Sequence, residues 1–130
     1  MMDLNYIQTP LRNQTIEEQI KDFYLLNNKE RTYQHVLGVA MAAEKLALQY
    51  QEDIRACILA ALLHDISAVI TPQDMMKIAN ELQWQLDSAE KIYPFLLHQK
   101  ISALIAYEYF QIRNLSILKA IESHTTLRSN

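Results

Sequence analysis

A chain of 130 residues, half of them apolar, has the size of one ordinary domain and enough aliphatic side chain to build a core. One glycine and three prolines are too few for the turns and bulges of a sheet protein, so the composition favours helices joined by short connections. A net charge of −3, with lysine and arginine scattered along the chain, gives no electrostatic footprint for nucleic acid and no basic amphipathic helix for a membrane surface.

Residues 1–14 read as an N-terminal extension in which Asp3, Asn5 and Gln8 interrupt the apolar residues, unlike a signal peptide. Thr15-Ile16-Glu17-Glu18 has the spacing of a capping box and opens a helix predicted to reach Leu26, where Asn27-Asn28-Lys29 ends it. A second helix is predicted over Glu30–Tyr50, with Val36, Val39, Ala40, Ala43, Leu46, Ala47 and Tyr50 as its buried stripe. The third carries Ile54, Cys57, Ile58, Ala61 and Leu62 and is predicted to run on into His64-Asp65; apolar on nearly every side, it reads as the central helix. Thr71-Pro72 is a helix start, with proline where its missing N–H costs nothing, and this helix is predicted over 72–82. The pattern over 83–94 is not legible, and Pro94 breaks whatever precedes it. Two further helices are predicted, over 98–110 and from near Asn114 through His124. The fold class is all-α, with six or so helices in a single domain over 1–130 and no stretch approaching the roughly 18 apolar residues of a membrane span. The lone Cys57 between Ala56 and Ile58 reads as a buried, inert thiol, and the compartment as the reducing cytoplasm.

Polar groups on apolar faces carry the chemical information. At about 100° per residue, His35 lies within about 40° of Val39, Ala42 and Leu46, on or beside the buried stripe. His64 follows Cys57 and Ala61 at helical spacing, and Asp65 follows Ile58, Ala61 and Leu62, so both are expected to point inward. His98 starts one helix and His124 ends another, one turn after Ile121. A buried carboxylate at Asp65 needs a cation or several donors, because an unpartnered charge in the interior costs several kcal/mol. Imidazoles with a carboxylate suit iron, manganese or zinc. Such an ion lowers the pKa of a bound water and polarises a phosphoryl oxygen, which together make a hydrolase of phosphate esters or anhydrides. Against this stands the structural alternative, in which each histidine is a hydrogen-bonded core residue or a helix cap and the protein is a plain bundle.

Arg31-Thr32-Tyr33-Gln34-His35-Val36-Leu37-Gly38-Val39 and Ala61-Leu62-Leu63-His64-Asp65-Ile66 resemble the opening motifs of the HD-domain metal-dependent phosphohydrolases. With Leu96-Leu97-His98-Gln99-Lys100-Ile101-Ser102-Ala103 and Ala120-Ile121-Glu122-Ser123-His124-Thr125-Thr126, the chain resembles the YqeK branch, bacterial symmetrical diadenosine tetraphosphatases that release two ADP. The resemblance implies metal ligation by His35, His64, Asp65, His98 and His124, with His64 and Asp65 as the catalytic pair. It further implies iron, as a two-metal centre, with manganese or another divalent transition metal as the alternative, and phosphate contacts from Arg31 and Arg128. Ile66-Ser67-Ala68-Val69 stands where the family usually has a lysine, Leu127 stands where it has a glycine, and the aspartate motif of its C-terminal subdomain is not found. These departures set the alternative expectation of a C-terminally shortened, catalytically impaired module that binds metal or nucleotide without efficient turnover. An uncovered apolar surplus on the last two helices leads to the expectation of a homodimer.

Overall fold

The computed structural model describes residues 6–10 and 14–129, with side chains as far as 122. Among these residues the fold is helical throughout, without strands. Helix α1 (Ile16–Leu26) opens on the expected capping box, the Thr15 hydroxyl accepting from the Glu18 N–H while the Glu18 carboxylate accepts from the Thr15 N–H. Helix α2 spans Glu30–Tyr50 and α3 spans Ile54–Leu63, with Asp53 capping α3 through the Ala56 N–H. A 3₁₀ turn over Ile66–Val69 leads to α4 (Pro72–Glu81), capped by Thr71 as its sequence predicts. The segment without a legible period contains a short helix, α5 (Ser88–Ile92), whose five residues are too few to show periodicity but which carries its own capping box from Asp87 and Glu90. A second 3₁₀ turn (Pro94–Leu97) runs into α6 (His98–Tyr109), and α7 spans Leu115–Ser129.

With one glycine in the chain, the left-handed positions that follow helices fall to Asn28, Gln51, Gln83 and Gln111, at φ of 61°, 57°, 59° and 56°. Each costs about 1–2 kcal/mol relative to glycine, a cost the core must offset.

Helix α3 lies at the centre, as its all-round apolar character predicts: α2 and α7 pack against it most extensively, and α1 and α6 touch it. Phe23, Tyr24, Leu63, Ile66, Ile101, Ile105 and Ile121 are fully buried around it. Phe23 meets Tyr109 and Phe110 edge-on, at centroid distances of 5.6 and 5.3 Å.

The packing corrects two of the sequence expectations at once. The buried stripe of α2 is Val36, Ala40 and Ala47, whereas Leu46 and Tyr50 are 55% and 65% exposed because they lie about 100° and about 60° round the helix from Ala47, at the edges of a narrow packed face. Cys57 is half-buried rather than buried. No single helix among the described residues is long and apolar enough to cross a membrane.

Candidate metal centre

The site forms where α3 ends. Helix α3 stops at Leu63 instead of running through the His-Asp pair, so His64 is its C-cap and Asp65 sits in the link to the 3₁₀ turn. A helix end leaves its last carbonyls without intrahelical partners. Here two side chains supply them: the Tyr24 hydroxyl donates to the Leu62 carbonyl at 2.7 Å, and His64 Nδ1 donates to the Ala61 carbonyl at 2.5 Å. The second bond fixes the tautomer of His64. Its Nδ1 carries a proton, and Nε2, 3.2 Å from Asp65 Oδ2, is the ring nitrogen through which His64 could hold a metal.

His35 approaches the same carboxylate from α2, its Nε2 3.5 Å from Asp65 Oδ2. The His35 and His64 rings stand 5.8 Å apart, and one donor atom from each of His35, His64 and Asp65 lies within 4.8 Å of the others. Two donors each about 2.1 Å from one cation, at angles of about 90–115°, stand about 3.0–3.5 Å apart, and both imidazole–carboxylate pairs match that spacing. Nitrogen and carboxylate oxygen donors suit a borderline transition metal.

The three residues differ in cover. His64 is almost wholly buried and Asp65 half-buried, but the His35 side chain is 60% exposed, which corrects its expected place on the buried stripe. The physical reason is angular: His35 lies about 100° round α2 from Val36, at the edge of the packed face. The cluster thus opens to solvent on the α2 side, where a ligand can enter. Arg31, one turn before His35, is exposed on that same side.

His98 opens α6, its Nδ1 donating to the Phe95 carbonyl at 3.0 Å and its ring stacked on Phe95 at 4.7 Å. It lies outside the group formed by His35, His64 and Asp65. The start of α6 is nonetheless held near that group, because the Ser102 hydroxyl accepts from the Ser67 N–H at 3.1 Å, both residues being buried. The side chains of His124 and Arg128 lie outside the described residues.

Tyr24 is a site-supporting residue that motif reading misses. Burial raises its phenol well above the ordinary value of 10.0, and the nearby Asp65 carboxylate raises it further. A signal was available: a tyrosine beside Ile20 and Phe23 on a buried helix face must find a partner for its hydroxyl.

The HD domain family matches residues 32–130, a span that takes in most of α2 and the α3 terminus. The chain belongs to the HD domain family. This HD domain is 34% identical, over 102 residues, to a symmetrical bis(5'-nucleosyl)-tetraphosphatase of Halalkalibacterium halodurans, covering 78% of the chain and 54% of that protein. It is 27% identical over 97 residues to a probable nicotinate-nucleotide adenylyltransferase/Ap4A hydrolase of Mycoplasma genitalium, covering 74% of the chain and 27% of that protein. A crystal structure from Clostridium acetobutylicum, described as a predicted HD superfamily hydrolase involved in NAD metabolism, superposes with a TM-score of 0.77 at 29% identity, over 83% of this chain and 57% of that one. The HD domain therefore spans about half the length, or less, of these relatives. HD domains bind divalent metals, which agrees with the donor set at the α3 terminus.

Proposed function

We propose that this HD domain is a metal-dependent phosphohydrolase of nucleotides, and that its substrate is diadenosine tetraphosphate, cleaved symmetrically by one water into two ADP. The observation that carries the reading is the convergence of His35, His64 and Asp65 donor atoms beside an open face. In this reading the three side chains hold a divalent cation, iron first and manganese as the alternative, and His98 and His124 complete a second position. The ion, when bound, supplies Lewis acidity toward water and a phosphoryl oxygen.

The chain's own groups do the rest. The Ala61 carbonyl keeps the His64 proton on Nδ1 so that Nε2 stays a donor to the ion. Asp65 supplies the negative charge that a divalent cation demands in a half-buried site. Arg31, exposed one turn before His35, receives a phosphate of the substrate as a charge-assisted pair, and Arg128 is assigned the same role. We place the protein in the reducing cytoplasm, in line with its single cysteine. We also propose that it self-associates through α6 and α7, where Tyr107 and Leu115 are 44% and 67% exposed. Light scattering that shows only monomer at micromolar concentration counts against that assembly.

A second reading, metal or nucleotide binding without efficient turnover, is favoured by one observation. The 60% exposure of His35 lets water compete for the ion at that ligand. ADP release from diadenosine tetraphosphate with added Fe²⁺ or Mn²⁺ separates the two. The hydrolase reading expects release that His64→Ala abolishes. Release equal to that of His64→Ala, with Mn²⁺ still bound by the unaltered chain, selects the second reading. Absence of bound metal sinks the hydrolase reading and the metal-binding form of the second.

A further inference from the structure

The segment between α5 and α6 spends apolar surface that the fold does not bury. Ile92, Tyr93, Phe95 and Leu96 are 67%, 66%, 59% and 44% exposed, although Leu97 beside them is fully buried and anchors the turn. Single exposed apolar residues are ordinary, but four within five positions form a patch, and such patches mark binding surfaces. Phe95 has the most informative geometry. One face of its ring lies on the His98 imidazole, with centroids 4.7 Å apart and planes within 11° of parallel. Its exposed area is therefore the other face and the edge.

Position gives that face a use. Chain geometry from His98 to Ser102, across the bond to Ser67 and back to Asp65, keeps His98 no more than about 18 Å from Asp65. Pro94 restricts the backbone at the start of the turn, and the Phe95 carbonyl is held by His98, so the ring is presented from a stiff segment. A flat apolar ring held against His98, within that reach of the proposed phosphate-hydrolysing site, fits the heterocycle of a nucleotide, since every base offers a π-face to stack on.

Resting on the proposed nucleotide hydrolase, we propose that Phe95, extended by Tyr93, is the platform on which a base of the substrate stacks while its phosphates reach the metal cluster. The platform contributes binding and not chemistry.

The test compares Phe95→Ala with the unaltered protein on diadenosine tetraphosphate and on inorganic tripolyphosphate, which has no base. The expected result is a KM for the dinucleotide raised by about five- to a hundredfold, with kcat and the tripolyphosphate KM little changed. Phe95→Tyr is expected to restore the KM. A direct readout uses Phe95→Trp: ADP is expected to quench the new fluorescence and tripolyphosphate to leave it alone, with or without catalysis. Equal loss on both substrates makes the ring a support for His98 and overturns the platform. Unchanged KM together with no quenching also overturns it. Should Phe95→Ala turn a dimer into a monomer while ADP leaves Phe95→Trp unquenched, the patch belongs to a second copy of the chain. A protein inert toward both substrates that is still quenched by ADP refutes the hydrolase reading and leaves the platform standing.

Discussion

Burial of the Tyr24 phenol couples the stability of the bundle to its distance from Asp65. The hydroxyl donates to the Leu62 carbonyl, and burial first, then the Asp65 charge, raises its pKa well above 10.0. Below about pH 10 both folded and unfolded chains hold the proton, so the contribution is fully present. As pH rises further the unfolded chain ionises while the folded one resists, so the contribution is lost on the way to the folded pKa. Tyr24→Phe is expected to cost about 1–3 kcal/mol at neutral pH, by leaving a buried carbonyl unpaired, and to flatten the decline above pH 10. Urea midpoints at neutral pH and near pH 11 check this, and parallel declines in both proteins would count against it. At the same scale, His64 was legible as an inward residue because it continues the period of the most apolar helix. The exposure of His35 was not, because helical spacing gives relative angles on one helix but not the direction from which a neighbour covers it.

Among the elements, the turn that ends α3 and the start of α6 matter together. Ser102 lies one turn after His98 and is wholly buried, and its hydroxyl is the acceptor for the Ser67 N–H. Ser102→Ala leaves that N–H buried without its acceptor and is expected to destabilise the chain by about 1–3 kcal/mol. Denaturant unfolding reads the cost as a lower midpoint with an unchanged slope. A change under a few tenths of a kcal/mol would mean that water replaces the hydroxyl. The element boundaries that the sequence showed are those written in local chemistry, such as the Thr15 capping box and Thr71-Pro72. Helix α5 escaped notice because five residues cannot display a 3.6-residue period, although Asp87 and Glu90 sit at capping-box spacing. The end of α3 at Leu63 escaped for another reason. His64 and Asp65 continue the helical spacing, yet Tyr24 and the His64 ring take up the carbonyls there, and only the packed bundle brings Tyr24 within reach.

For the whole molecule, a metal held by residues from two helices and a link is also a fold constraint. His35 comes from α2, and His64 and Asp65 from the end of α3, so an ion bound by the folded chain and not by the unfolded one shifts the folding equilibrium. At a free Mn²⁺ concentration of 100 times Kd, the expected gain is about 2.7 kcal/mol, seen as a rise in Tm that a chelator reverses. The same titration on Asp65→Asn is expected to show most of the gain gone. A Tm that Mn²⁺ leaves unmoved would argue against a site in the folded protein.

The amino-acid sequence by itself determined the helical class, the central place of α3, and the caps of α1 and α4. These follow from interactions within a few residues of one another, or from a periodicity carried along one helix. Tertiary structure decided which side of the cluster faces solvent, that Tyr24 and Ser102 brace it, and that Phe95 lies flat on His98 with its other face open. Those depend on how helices distant in the chain cover one another, and burial of that kind is settled by the whole packed core at once.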